Sequence, residues 1–432
     1  MKSVTSRGVG LSYSLITTGI IAAVLIETYA HCVLLYKYEK DWVAVIYLVA
    51  GLLVGVLPFT CRNQPVLHAS KIYTYFTWAG LLVIFYLLFQ DFPSLLAANP
   101  LDYKKADMLP IMEVMSGRFM NGQHVYDKIP EIWQGMQPIY LPAMWMPFII
   151  STLLDLDPRW ITLSFILMGV LVTMNVWDTK PRPLISMIVL LPVFWIITAF
   201  ITRDTNFLVH TQEGVVIGYY LIFAYALTRD NPYFVGFAAA LCLMSRFSLI
   251  FWLLAFGCFL LFSKDYKYLI KAASTCIGTV CILLVATGAI YHLDVFLGLQ
   301  QTYLNAIRPN NEWKYAGLID NELGIARFWG YENLKQLHRV FLLVNILTPI
   351  AIFGIYILRR RSIGRVLLAL CTLKLSLVLF YNLIIIPAGY LFYTSTFFSL
   401  AILYYWLIRG NLQAGRSELL TVVFDSKQSP GQ

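Results

Sequence analysis

Charge is what this sequence has least of. Of its 432 residues, 13% are Asp, Glu, Lys or Arg, while 59% are hydrophobic. Soluble domains carry about a quarter charged residues, so half of the usual charge is missing. A soluble domain is excluded on that ground. Repeated apolar runs of about 16–25 residues are each long enough to cross a hydrocarbon core as a helix. The expected class is all-α, a polytopic transmembrane protein.

Other absences narrow the chemistry. The chain has seven cysteines, Cys32, Cys61, Cys242, Cys258, Cys276, Cys281 and Cys371, all in or beside apolar runs, and no CxxC pair. With none in the long polar loops, neither disulfides nor structural zinc are expected. There is no P-loop, HExxH, GxSxG elbow or clustered His/Cys set, so no metal or other cofactor is expected. Asp102, Asp107 and Asp127 are acidic neighbours that leave metal dependence open. The net charge of +9 does not point to nucleic acid, because Lys and Arg gather in short loops as the positive-inside rule requires.

Those basic loops set the topology. Lys2 and Arg7 place the start of the first run, Leu11–Leu35, inside. Its length and the lack of a clean small-x-small site make it an uncleaved span, not a signal peptide. Trp42–Phe59 returns, Arg62 and Lys71 are cytoplasmic, and Tyr73–Phe89 exits, which leaves loop 90–137 outside. Ile139–Leu154 is short and has Pro138, Pro142 and Pro147 in or beside it. If it crossed fully, the next span, Trp160–Val176, would leave the basic turn Asp178–Pro183 outside, so a re-entrant or surface-lying helix is expected ahead of that span. Pro183–Phe200, Val215–Leu227, Tyr233–Met244, Phe247–Phe262 and Ile270–Ile290 then alternate, with Ser245-Arg246 outside and Lys264, Lys267 and Lys271 inside. A second outer loop, 291–338, follows. Val340–Leu358 returns to Arg359-Arg360-Arg361, and Val366–Leu383 and Tyr390–Ile408 complete about twelve crossings with both termini inside. Residues 1–410 form one transmembrane domain, and 411–432 a polar cytoplasmic tail.

The longest polar interruption of the first half runs from Asp102 to Pro147. Within it, Met108, Leu109, Ile111, Met112, Val114 and Met115 recur at spacings near 3, 4 and 7, the pattern of an amphipathic surface helix. Asp107 stands at its start and Pro110 in its first turn, where a missing N–H does no harm. Asp107 is thus either an N-cap, a reactive carboxylate, or both. Asp102 is the competing carboxylate, and Glu113, Asp127 and Glu131 read as solvated. Among cations, Arg246 interrupts an apolar run and faces a cavity or snorkels to the interface. Further cationic or hydrogen-bonding candidates are Arg203, His210, Arg308, Lys314, Arg327 and His338. Of the aromatics, Trp133, Trp145 and Trp160 read as an interfacial belt, whereas Tyr140, beside the prolines, reads as a site residue.

The order of these features resembles the glycosyltransferase C superfamily, and within it the polyprenol-phosphate-mannose-dependent mannosyltransferases. The resemblance covers roughly 102–262. It rests on Asp107, Gly117, Gly122 and Tyr126, on Pro138-Ile139-Tyr140-Leu141-Pro142, and on Gln212-Glu213-Gly214, Gly236 and Ser245-Arg246-Phe247. The aromatic run lacks the family's double Pro, and MLPI follows the Asp without an aromatic at the fourth position. The resemblance implies a multi-pass enzyme, expected in a bacterial inner membrane with its site on the outer side. It would move a hexose from a polyprenyl-phosphate donor to a lipid-linked or cell-surface glycan. Asp107 would be the base, and Arg246, Tyr140, His210, Asp102 and Arg308 substrate contacts. The partners implied are membrane lipids, the polyprenyl-phosphate sugar and the glycan acceptor. A secondary transporter and a surface-polysaccharide polymerase or ligase are the alternatives.

Overall fold

Apolar sequence in lipid must satisfy its backbone within each segment, and helices do so. The computed structural model describes residues 13–36, 40–60, 73–132, 135–174, 183–306, 323–359, 364–383 and 389–407. Among them the regular structure is helical, with no strand and one isolated antiparallel bridge between Ile129 and Met136. Five helices are long and apolar enough to span on their own: Tyr13–Cys32, Asp41–Thr60, Tyr266–Ala286, Leu334–Leu358 and Arg365–Asn382. Helices of this kind embed the chain in a membrane. Shorter apolar helices, Leu82–Ala98, Ile188–Thr202, Pro232–Leu243 and Phe247–Phe262, lie between them.

Helices α1 (Tyr13–Cys32), α2 (Lys40–Val56) and α3 (Tyr73–Ala98) open the chain. The third extends nine residues beyond the expected Phe89, shortening the first polar loop. That loop holds α4 (Met108–Met120), which buries Leu109, Ile111, Met112, Met115 and Ser116, the apolar stripe that the spacing implied. Three short pieces follow: α5 (Pro142–Trp145), a 3₁₀ turn at Met146–Phe148, and α6 (Ile149–Leu154). They pack against α4 and are bent by 120° from α7 (Arg159–Thr173). The chain turns at Asp155, whose backbone is left-handed at φ 50°.

Helices α8 (Pro183–Thr202), α9 (Thr205–His210), α10 (Glu213–Arg229), α11 (Pro232–Leu243), α12 (Ile250–Phe262) and α13 (Tyr266–Ala286) form the centre. Next come α14 (Leu293–Ala306), α15 (Leu334–Arg359), α16 (Arg365–Leu383) and α17 (393–407). The second polar loop is therefore partly helical, since α14 lies within it. Close packing of α7 on α10 needs a missing side chain at Gly214, where a Cβ would collide with the Thr162 carbonyl oxygen. Gly236 does the same for α11 against Ala272 of α13. Small residues at helix contacts are how apolar helices gain packing in lipid.

Charged residues mark the two ends of this bundle. At one end Arg365 bonds Asp230 at 2.5 Å, pairs with Asp265 and stacks over the Tyr268 ring. The turns after α10 and α12 and the start of α16 therefore meet there. Arg246 lies at the far end of α11, a 12-residue helix, about 18 Å from its start. Helix α16 runs the same way, from Arg365 to Tyr381, which reaches Ser248 at the Arg246 end.

Halfway along α16, Lys374 donates to Glu27 of α1 at 2.6 Å and to the Ser395 carbonyl and hydroxyl at 2.8 Å each. The second Glu27 oxygen accepts from Ser399 at 2.6 Å. Both charges are fully buried. Buried charges inside apolar spans survive when they are paired and hydrogen-bonded, and this pair ties α1, α16 and α17 together. Beside it, His31 stacks on Tyr393 at 3.9 Å between centroids and bonds Thr396.

Candidate functional site

At the Arg246 end four separate stretches converge. Leu141 is extended and Pro142 opens α5, so the chain turns inward at Tyr140. The Ala143 N–H donates to the Met244 carbonyl at 3.0 Å, and the Tyr219 hydroxyl donates to the Ala143 carbonyl at 2.9 Å. These bonds fix 139–145 against the end of α11. There Ser245 donates back to the Cys242 carbonyl at 2.8 Å. Arg246 is extended at φ −160°, and helix restarts at Phe247. That one extended residue aims the guanidinium at Glu213, the first residue of α10, with which it pairs. A carboxylate in the first turn of a helix is favoured by the helix dipole.

Tyr140, Leu141, Met144, Ser245, Arg246, Phe247 and Gln300 line a cavity of about 40 Å³. At about 10–15 Å³ for each water, it holds roughly three. Gln300 comes from α14 and donates its amide to the Ile139 carbonyl at 3.1 Å. Its Oε1 is buried without a hydrogen-bond partner among the described residues, as are Oε1 of Gln212 and Oε2 of Glu213. Gln212 reaches Met144 of the cavity wall through its Nε2. Below, Tyr220, Ser248 and Tyr381 form a hydroxyl chain, with distances of 2.6 and 3.2 Å.

The structure thus brings Arg246 and Tyr140 together and adds Gln212, Glu213 and Gln300. Asp107, Asp102 and His210 do not line this cavity. Asp107 occupies the N-cap position of α4, half-buried, but makes no side-chain cap bond. Asp102 sits in a turn and accepts the Lys104 N–H at 2.9 Å. Helix α4 packs on α5, whose Met144 is in the cavity wall. His210, half-buried at the end of α9, holds its proton less tightly than usual, because of burial first and then the positive charges of Lys105 and Arg159. Arg308, Lys314 and Trp133 lie outside the described residues.

Arg159 is a polar anchor of this end that the sequence reading missed. It is buried, pairs with Asp157, and donates to the Asn99 carbonyl at 2.5 Å, so it closes the C-terminus of α3. Nearby Glu113 is exposed, yet its carboxyl is shifted upward by partial burial and by the Asp157 charge. Arg203 caps α1 through the Cys32 carbonyl at 3.3 Å. Trp145 corrects an expectation: it is fully buried, not interfacial, and donates to the Tyr126 hydroxyl at 3.4 Å. Its segment folds beneath α4, which takes it off the surface. Trp160 stacks on Phe89 at 5.6 Å and stays half-buried. The six cysteines described, Cys32, Cys242, Cys258, Cys276, Cys281 and Cys371, form no disulfide. The comparisons with known proteins give no neighbour: no family model, curated protein or solved structure matches the chain.

Proposed function

We propose that the chain is a membrane glycosyltransferase of the glycosyltransferase C type, with about twelve crossings and its site on the outer face of a bacterial inner membrane. It moves a hexose from a polyprenyl-phosphate donor to a lipid-linked or cell-surface glycan. The observation that carries this reading is the cavity shared by Tyr140, Arg246 and Gln300, at the end opposite the Arg365 ion pairs. Polar groups from distant stretches meet there, and α5, which contributes Met144 to its wall, packs against the amphipathic helix α4.

Glycosyl transfer to an alcohol forms a C–O bond at the anomeric carbon as the bond to phosphate breaks. The acceptor hydroxyl proton passes to a base, assigned to Asp107, and the lipid phosphate leaves with the electron pair. Arg246, paired with Glu213, is assigned as a substrate contact of the site. His210, Asp102 and Arg308 are assigned as further substrate contacts. Membranes containing the protein, given labelled polyprenyl-phosphate hexoses, test the reading. Transfer should occur and should be lost in Asp107→Asn; absence of transfer from every such donor, or undiminished transfer by that variant, refutes it.

A second reading, a secondary transporter, is favoured by the Glu27–Lys374 pair at mid-depth, since ionisable pairs inside spans often lie on ion pathways. Against it stands the sealing of that pair, fully buried and hydrogen-bonded on both sides. Uptake of a labelled solute into vesicles that Glu27→Gln abolishes would favour the transporter.

A further inference from the structure

The cavity between Tyr140, Ser245, Arg246 and Gln300 has a definite chemical character. Arg246 is its charged wall, and that charge is compensated by Glu213 directly behind it. The buried atoms of this region that lack partners among the described residues include three acceptor oxygens. Gln300 Oε1 belongs to the wall itself; Gln212 Oε1 and Glu213 Oε2 belong to side chains in contact with wall residues. Gln300 is 8% exposed, Gln212 1% and Glu213 0%. Buried acceptors left unsatisfied cost free energy until a donor reaches them.

A phosphate brings more acceptors and a negative charge beside Glu213, and so satisfies none of these oxygens. A hydroxyl group in the cavity can satisfy Gln300 Oε1, the one of the three that belongs to the wall, because an O–H donates one bond and accepts another. The Arg246 guanidinium is a donor group on the same wall, and the Ser245 hydroxyl oxygen can accept. The space, about 40 Å³, takes a pair of adjacent hydroxyls or one hydroxymethyl arm, with the ring left outside it. Few polar groups set among aromatic and aliphatic ones are the usual make-up of a site that fixes orientation.

We infer that this cavity is a hydroxyl-binding subsite for a neutral sugar, and that Gln300 determines which hydroxyl arrangement it accepts. That the sugar is one being transferred rests on the glycosyltransferase reading; that the cavity takes neutral hydroxyls in preference to phosphate does not. Gln300 is a specificity residue here, distinct from the base.

The test is saturation-transfer NMR on the full chain in nanodiscs with a panel of methyl hexosides, with inorganic phosphate as competitor. Three forms are compared: wild type, Gln300→Leu, and Gln300→Asn, which withdraws the same amide by one methylene. Wild type should bind at least one hexoside, phosphate should not displace it, and Gln300→Leu should weaken it by about tenfold, the worth of one good hydrogen bond. Gln300→Asn should reorder the panel, which a variant that merely fails to fold would not do. No hexoside bound by wild type, displacement by phosphate, or a panel unchanged in both variants overturns the inference. If hexosides bind as expected and no polyprenyl-phosphate sugar is transferred, the enzyme reading falls and the subsite stands.

Discussion

Removing one member of the Glu27–Lys374 pair should unfold much of the protein's margin of stability. In Lys374→Met the ammonium and its three contacts vanish. Glu27 is then left fully buried with the Ser399 hydroxyl as its remaining bond among these. An uncompensated buried charge of this kind costs about 3–5 kcal/mol, a change of roughly two to four decades in the folded-to-unfolded ratio. Glu27→Gln strands the ammonium instead and should cost a similar amount. The paired replacement, Glu27→Leu with Lys374→Met, removes both charges, and such swaps range from neutral to about 4 kcal/mol stabilising. Reversible unfolding in mixed micelles, run as a double-mutant cycle, reads the coupling. Single variants within about 0.5 kcal/mol of wild type, or a double variant as costly as the sum of the singles, would refute the reasoning.

Four further outcomes rest on the same geometry. Gly214→Ala should destabilise by about 1–3 kcal/mol through overpacking against Thr162. Gly117→Ala, where nothing lies within 4 Å of the new methyl, should stabilise α4 by about 0.5–1 kcal/mol; thermal unfolding of both variants checks the opposite signs. Asp107→Asn should leave stability within about 0.5 kcal/mol of wild type, because Asn serves the N-cap position Asp107 occupies about as well as Asp does. For His210 the folded protein binds the proton less readily than the unfolded chain, given the directions set by burial and by Lys105 and Arg159. Its contribution is therefore present above the ordinary pKa of 6.5 and is lost as pH falls below it. Melting midpoints between pH 7.5 and 5 should fall less steeply in His210→Gln than in wild type.

Much of this architecture was legible because lipid simplifies the code. Apolar runs gave the helices, and the spacing from Met108 to Met115 gave the buried face of α4. Basic turns placed Asp230, Asp265 and Arg365 at one end, where they meet. Arg246 was visible as a cation breaking an apolar run, but its partner was not, since Glu213 entered the reading only as part of a loose motif. Two signals were present and unused: Glu27 and Lys374 are lone charges inside spans, of opposite sign. Their pairing across a separation of 347 residues belongs to tertiary packing. Gln300 carried no signal at all, because an uncharged amide in a polar loop is ordinary until its oxygen is found buried. Trp145 was misplaced for a related reason: proximity to prolines and polar loop resembles an interface until the segment folds beneath α4.

The most direct measurement is transfer of labelled hexose from polyprenyl phosphate in membranes carrying wild type, Asp107→Asn or Gln300→Leu. Wild type should transfer, Asp107→Asn should not, and Gln300→Leu should transfer with altered preference among hexoses. Equal transfer by wild type and Asp107→Asn, or no transfer from any polyprenyl-phosphate hexose, would contradict the glycosyltransferase reading.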